Sequence, residues 1–116
     1  MSDYNSNRNK ITIDPEVLLT ISKLSALSVE GVSRMASVPH NLNTLIHHNY
    51  SNGVKIEVEN DSVYVDLYVV MKKDADLLET SKHIQAAVSR SITEMVGMDV
   101  VRVNVHIEDI DYITTD

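Results

Sequence analysis

The sequence predicts an α+β domain built as a two-layer sandwich, in which two helices lie on one face of a mixed three- to four-stranded sheet. Three observations carry that reading. Apolar residues alternate with polar ones through most of 54–71 and again over 100–108, the period of a strand with one buried face. Two other stretches, 16–29 and 77–96, carry apolar residues at helical spacing, with an aspartate ahead of each and a glycine behind it. The polar positions of the alternating segments hold Lys55, Glu57, Asp66 and Arg102, which helices on both sides would bury, so one sheet face stays open.

In chain order, residues 1–9 are polar and aperiodic, a flexible N-terminal arm ahead of a single domain over 10–110. Residues 10–13 (KITI) alternate and read as a short first strand at a sheet edge. Asp14 is placed to cap the first helix, with Pro15 at its first position, where the missing N–H costs nothing. Val17, Ile21, Leu24 and Ser28, widened by Leu18 and Leu27, read as its buried stripe, and Gly31 as its stop. Residues 33–52 pattern weakly. Leu42, Leu45 and Ile46 permit one or two helical turns, so this connection either carries a short helix or is mobile, with 39–52 less protected than the strands around it.

The hairpin is the strongest signal. If Asn60-Asp61 is a two-residue turn, Val58 faces Val63, Ile56 faces Val65, Val54 faces Leu67, and Lys55 meets Asp66. A slip of one residue destroys every one of these matches. Val54, Ile56, Val58, Val63, Val65 and Leu67 therefore face the helices. Residues 72–75 form a polar link, Asp76 with Glu79 resembles a capping box, and Leu77, Ile84, Val88, Ile92 and Met95 form the stripe of the second helix, stopped by Gly97. Over 100–108, Val101, Val103, Val105 and Ile107 share the core face. Residues from 109 onward are acidic and solvated, with 111–116 as a C-terminal tail. The order is βαββαβ, and a helical crossover between the strands at 62–71 and 100–108 makes them parallel neighbours.

Composition narrows the function. There is no cysteine, which removes thiol catalysis, thiolate metal sites and disulfides. The net charge is −7 and the longest basic run is Lys72-Lys73, which disfavours nucleic acid and anionic lipid as direct partners. No apolar run approaches the roughly 18 residues of a membrane span, and MSDYNSNRNK lacks the apolar stretch of a signal peptide, so the expected location is the cytoplasm. His40, His47 and His48 share the central connection without ligand spacing, His83 and His106 read as single surface histidines, and no nucleophile elbow or phosphate loop occurs. The expectation is a protein without catalytic residues, metal, cofactor or small-molecule substrate. Tyr64 and Tyr68, with Lys55, Asp66, Arg102 and His106, instead form an amphipathic open face suited to protein contact.

At this point the chain resembles a family. KITIDPEVLLTISKLSALSVEGVSRMA at 10–36, VKIEVENDSVYVDLYVVM at 54–71, and Gln85, Val88, Met95, Gly97 and VRVNVHIEDI at 101–110 resemble the opening block, hairpin and closing helix and strand of the bacterial alkaline shock protein family, a cell-envelope stress response family. The link KKDAD at 72–76 departs from the glycine-containing link of many relatives. The resemblance implies a non-enzymatic cytoplasmic interaction or scaffold protein linked to envelope or alkaline stress. It further implies self-association or another protein as partner, and recruitment to the periphery of the membrane through such a partner. A small regulatory binding module acting on a metabolic enzyme is the alternative.

Overall fold

The computed structural model describes residues 9–37 and 49–112. The elements run α1 (Pro15–Leu27), β1 (Val32–Met35), β2 (Asn49–Ser51), β3 (Val54–Glu59), β4 (Ser62–Lys72), α2 (Leu77–Val96) and β5 (Asp99–Asp111). This is an α+β fold with two helices and a mixed sheet, but the element order differs from βαββαβ. Residues 10–13 pair with no strand among the described residues and form none themselves. The first strand instead follows α1, where Val32–Met35 runs antiparallel to the far end of β4. KITI alternates, but Ile11 and Ile13 are both exposed, and four residues without a partner strand have nothing to hold them extended.

β4 is the hub. One edge pairs in parallel with β5 along its whole length, from Ser62 opposite Asp99 to Lys72 opposite Asp111. Its other edge is shared end to end, by β3 over residues 62–67 and by β1 over 69–71. Short β2 lies outside β3, so the five strands stand no more than four abreast. The hairpin register follows the expected pairing at every position from Val54 opposite Leu67 to Glu59 opposite Ser62. Asn60 takes the left-handed turn conformation at φ +59°.

β2 occupies the end of the connection whose patterning is weak. Asn52 and Gly53 both have positive φ between Ser51 and Val54, the two-residue hairpin geometry for which Asn-Gly is the preferred dipeptide. The start of that connection forms β1, and its residues 38–48, with His40, His47, His48 and most of the helix-or-mobile segment, lie outside the described residues, as do 1–8 and 113–116 of the expected arm and tail.

The core forms between the helices and one sheet face. Val54, Ile56, Val63, Val65, Leu67, Val69 and Met71 meet Leu18, Leu19 and Ala26 of α1 and Ile84, Val88 and Ile92 of α2. Asp14 caps α1 by accepting the Glu16 N–H at 2.9 Å, Asp76 caps α2 by accepting that of Glu79 at 3.0 Å, and Gly97 closes α2 in the left-handed conformation.

Four expected facings are corrected. The buried stripe of α1 is Leu18, Leu19, Ser22 and Ala26, while Val17, Leu24 and Leu27 are exposed, because the helix is rotated about its axis from the orientation the spacing suggested. Met95 of α2 is exposed and Val96 packs instead, continuing the four-residue steps from Ile84 through Val88 and Ile92. Val58 lines an open groove with Ile13, Leu18 and Met98, and is 44% exposed rather than sealed under a helix. In β5 the register shifts between Val63–Val100 and Tyr64–Arg102, leaving Val101 as an extra residue, 52% exposed, while Val100 packs on the core. A second shift at Glu108 lets β5 continue through Asp109, Ile110 and Asp111, residues expected from sequence to be solvated.

Candidate protein-interaction face

The sheet face away from the helices carries the side chains singled out from sequence. Register sets them in rows: Glu57, Tyr64 and Arg102 in one, Lys55, Asp66 and Asn104 in the next, then Tyr68 beside His106. Alternation along β3, β4 and the part of β5 between its two bulges brings them to one face. All six predicted residues, Lys55, Tyr64, Asp66, Tyr68, Arg102 and His106, are therefore assembled there.

Two contacts organise the face. The Arg102 guanidinium lies over the Tyr64 ring, 5.1 Å from its centroid, a cation–π geometry. The His106 ring stacks on Tyr68 with centroids 4.4 Å apart and planes 11° from parallel. Asp66 ties the stack down. Its Oδ1 lies 2.9 Å from His106 Nε2 and accepts a hydrogen bond from Asn104 Nδ2 at 3.2 Å. Register puts Lys55 opposite Asp66, yet the carboxylate contacts formed among the described residues run across to β5 instead.

Tyr68 departs from its expected role as an exposed anchor. It lies on the outer face but is only 8% exposed. Burial, and then the negative charges of Asp66 and Glu108, raise its phenol above the usual tyrosine range. Tyr64 remains half-buried, Lys55 likewise, and Arg102 is exposed, so the accessible part of the face is the Tyr64–Arg102 end. Sequence reasoning did not single out Asn104 as the second donor to Asp66, although alternation with Arg102 and His106 placed it on that face. Gln85 was named only for the family resemblance, without its contact: its Nε2 donates to the Val103 carbonyl at 3.0 Å, tying α2 to β5. Nothing in the helical spacing of α2 marks a residue that reaches across to a strand backbone.

His106 Nε2 is engaged by a carboxylate, and among the described residues there is no group of three or more His, Cys, Asp or Glu able to hold a metal ion. His83 stands apart on α2, 3.6 Å from Glu79 one turn away. Among the described residues no helix is long and apolar enough to cross a membrane.

Comparison with known proteins bears on the whole chain. A Streptococcus pyogenes protein, Spy1614, is 30% identical over 110 residues, covering 91% of each chain. YqhY of Bacillus subtilis is 24% identical over 119 residues, covering 98% of this chain and 86% of its own, and YloU of the same organism is 23% identical over 105 residues, covering 87% and 88%. Among solved structures, MamM CTD C267S aligns with a TM-score of 0.46 at 15% identity, covering 84% of this chain and 98% of its own, a likeness on which nothing further rests. The sequence model of the alkaline shock protein family, described by a cell envelope-related function and also known as the cell-envelope stress protein family, matches residues 3–112, and the chain belongs to that family.

Proposed function

We propose that this protein serves the envelope-related role of its family as a cytoplasmic interaction or scaffold protein, and that it contacts a protein partner through the Tyr64–Arg102 end of the open sheet face. The observation that carries the reading is the pre-set Tyr64–Arg102 pair beside the Asp66–His106–Asn104 network. Tyrosine and arginine are the residues that most often dominate an interface, and side chains already held in place lose less freedom on binding. A chain of this kind reaches the membrane periphery by holding a partner located there.

The test is affinity purification of the full chain at native expression, identification of the bound protein, and titration of that purified protein against variants. Tyr64→Ser and Arg102→Glu each leave the melting temperature within a few degrees of wild type and weaken binding by about ten-fold or more, the charge reversal more strongly at low salt. Folded variants that bind the captured partner with wild-type affinity would overturn the assignment of this face.

A further inference from the structure

We propose that the outward face of α1 is a two-fold interface on which a second copy of this chain lays its own α1 antiparallel. The surface is distinct from the open sheet face, and α1 is apolar on two opposite sides. Leu18, Leu19, Ser22 and Ala26 are buried in the core, and opposite them stand Val17, 42% exposed, and Leu24, 60% exposed, with Leu27 and Thr20 beside them. Val17 and Leu24 are two turns apart, as are Thr20 and Leu27, so the exposed stripe follows the helix axis over most of its length. A single exposed leucine is ordinary, but a continuous stripe opposite the core face is the pattern of a helix that packs on both sides.

Three features select a second copy as the occupant. The first is a hollow of about 130 Å³ beside Leu24, lined by Glu16, Leu19, Thr20, Lys23, Leu24 and Asn52. Leu19 and Leu24 supply its apolar part, and the stems of Glu16 and Lys23 can cover an inserted side chain while their charged ends stay in water. A two-fold axis at Thr20 sets position 24 of one copy against position 16 of the other, so each Leu24 enters the other copy's hollow, an isologous knob and hole.

The second feature is charge. Glu16 and Lys23, also two turns apart, share one flank of the stripe, and neither has an ion-pair partner among the described residues. Antiparallel pairing about a two-fold axis brings the same flank of both helices together and sets Glu16 of each copy beside Lys23 of the other, twice over, whereas a parallel two-fold pair puts those flanks on opposite sides and forms neither contact. The third feature is neutrality. The chain as a whole carries −7, but α1 holds one acid and one base, so this is a surface on which two such chains can meet without strong repulsion.

Sedimentation velocity of the full chain over a dilution series tests the proposal. Wild type passes from monomer to dimer with rising concentration. Leu24→Glu remains monomeric where wild type is dimeric, with its helical circular dichroism and melting temperature unchanged. Should it lose stability, Leu24→Ser provides the same reading with a milder side chain. Glu16→Lys and Lys23→Glu each weaken the dimer several-fold, since each sets like charges together, and an equimolar mixture of the two restores it, because only the mixed pair recovers opposite-charge contacts. Tyr64→Ser dimerises like wild type, which separates this interface from the partner face. A wild-type monomer at ~1 mM, the weak end of measurable association, an undiminished dimer of the Leu24 variants, or a mixture no stronger than its components overturns the proposal.

Discussion

Tyr68 shows how much a single residue's setting can differ from its position in a pattern. Strict alternation put it on the open face correctly, but alternation has no term for what lies above a side chain. The His106 ring, held by Asp66, stacks on Tyr68, which is 8% exposed although it lies on the outer face. Its pH behaviour follows. The phenol is raised above its ordinary value of about 10 first by burial and then by Asp66 and Glu108, so above that value the unfolded chain releases a proton the folded chain retains. Stability from this residue is therefore complete below pH ~10 and is lost as pH rises through the folded pKa. Urea melts across this range show a decline in wild type that is shallower in Tyr68→Phe, and ultraviolet titration of the phenols shows the late-ionising component missing from that variant. Ser22 is the converse case. It lies fully buried in the core, its hydroxyl without a hydrogen-bond partner among the described residues, at a position that the apolar spacing of α1 did not assign to the buried stripe.

At the scale of elements, the hairpin and α2 were legible because each has redundant signals. The β3–β4 register is fixed at once by apolar matching and by turn residues, and α2 by a capping aspartate, a long stripe and a terminal glycine. α1 was legible in extent but not in rotation. It has apolar residues on opposite sides, and period alone cannot say which stripe meets the sheet. β5 was legible as a strand but its two bulges were not, since a run of valines offers an apolar residue to the core in either register. That difference has a measurable form. Val65, fully enclosed beneath the helices, loses about 1–3 kcal/mol on truncation to Ala, whereas Val101→Ala, at the bulge, stays within about 0.5 kcal/mol of wild type in urea melts. Equal losses at the two positions would contradict the bulge. Arg102, Asn104 and His106 share one face because they lie between the bulges, where alternation still holds.

For the molecule as a whole, the sheet depends on a seam that no local pattern announces. β1 and β3 meet end to end along β4, and Gly53 sits at the joint: its carbonyl accepts the Tyr68 N–H at 2.8 Å, while the Tyr68 carbonyl accepts the Ala36 N–H at 2.8 Å. A Cβ at Gly53 would lie 2.4 Å from the Ala36 carbonyl oxygen, and φ is +82°. Gly53→Ala is accordingly expected to cost at least ~1–2 kcal/mol from the left-handed backbone alone, with the added clash loosening β1 from β4. Hydrogen exchange locates the damage, faster at Ala36 and Tyr68 than at Val63 or Val65. Such long-range joins are invisible to periodicity because they link residues far apart in the chain. The parallel pairing of β4 with β5 has a consequence for synthesis. A ribosome delivers β4 well before β5, with all of α2 between them, so β4 must wait with one flank of backbone donors and acceptors open to any strand in reach. The nascent chain is thus most vulnerable to mispairing in the interval that α2 occupies, which ends only when Asp99–Asp111 reaches β4 and seals that flank.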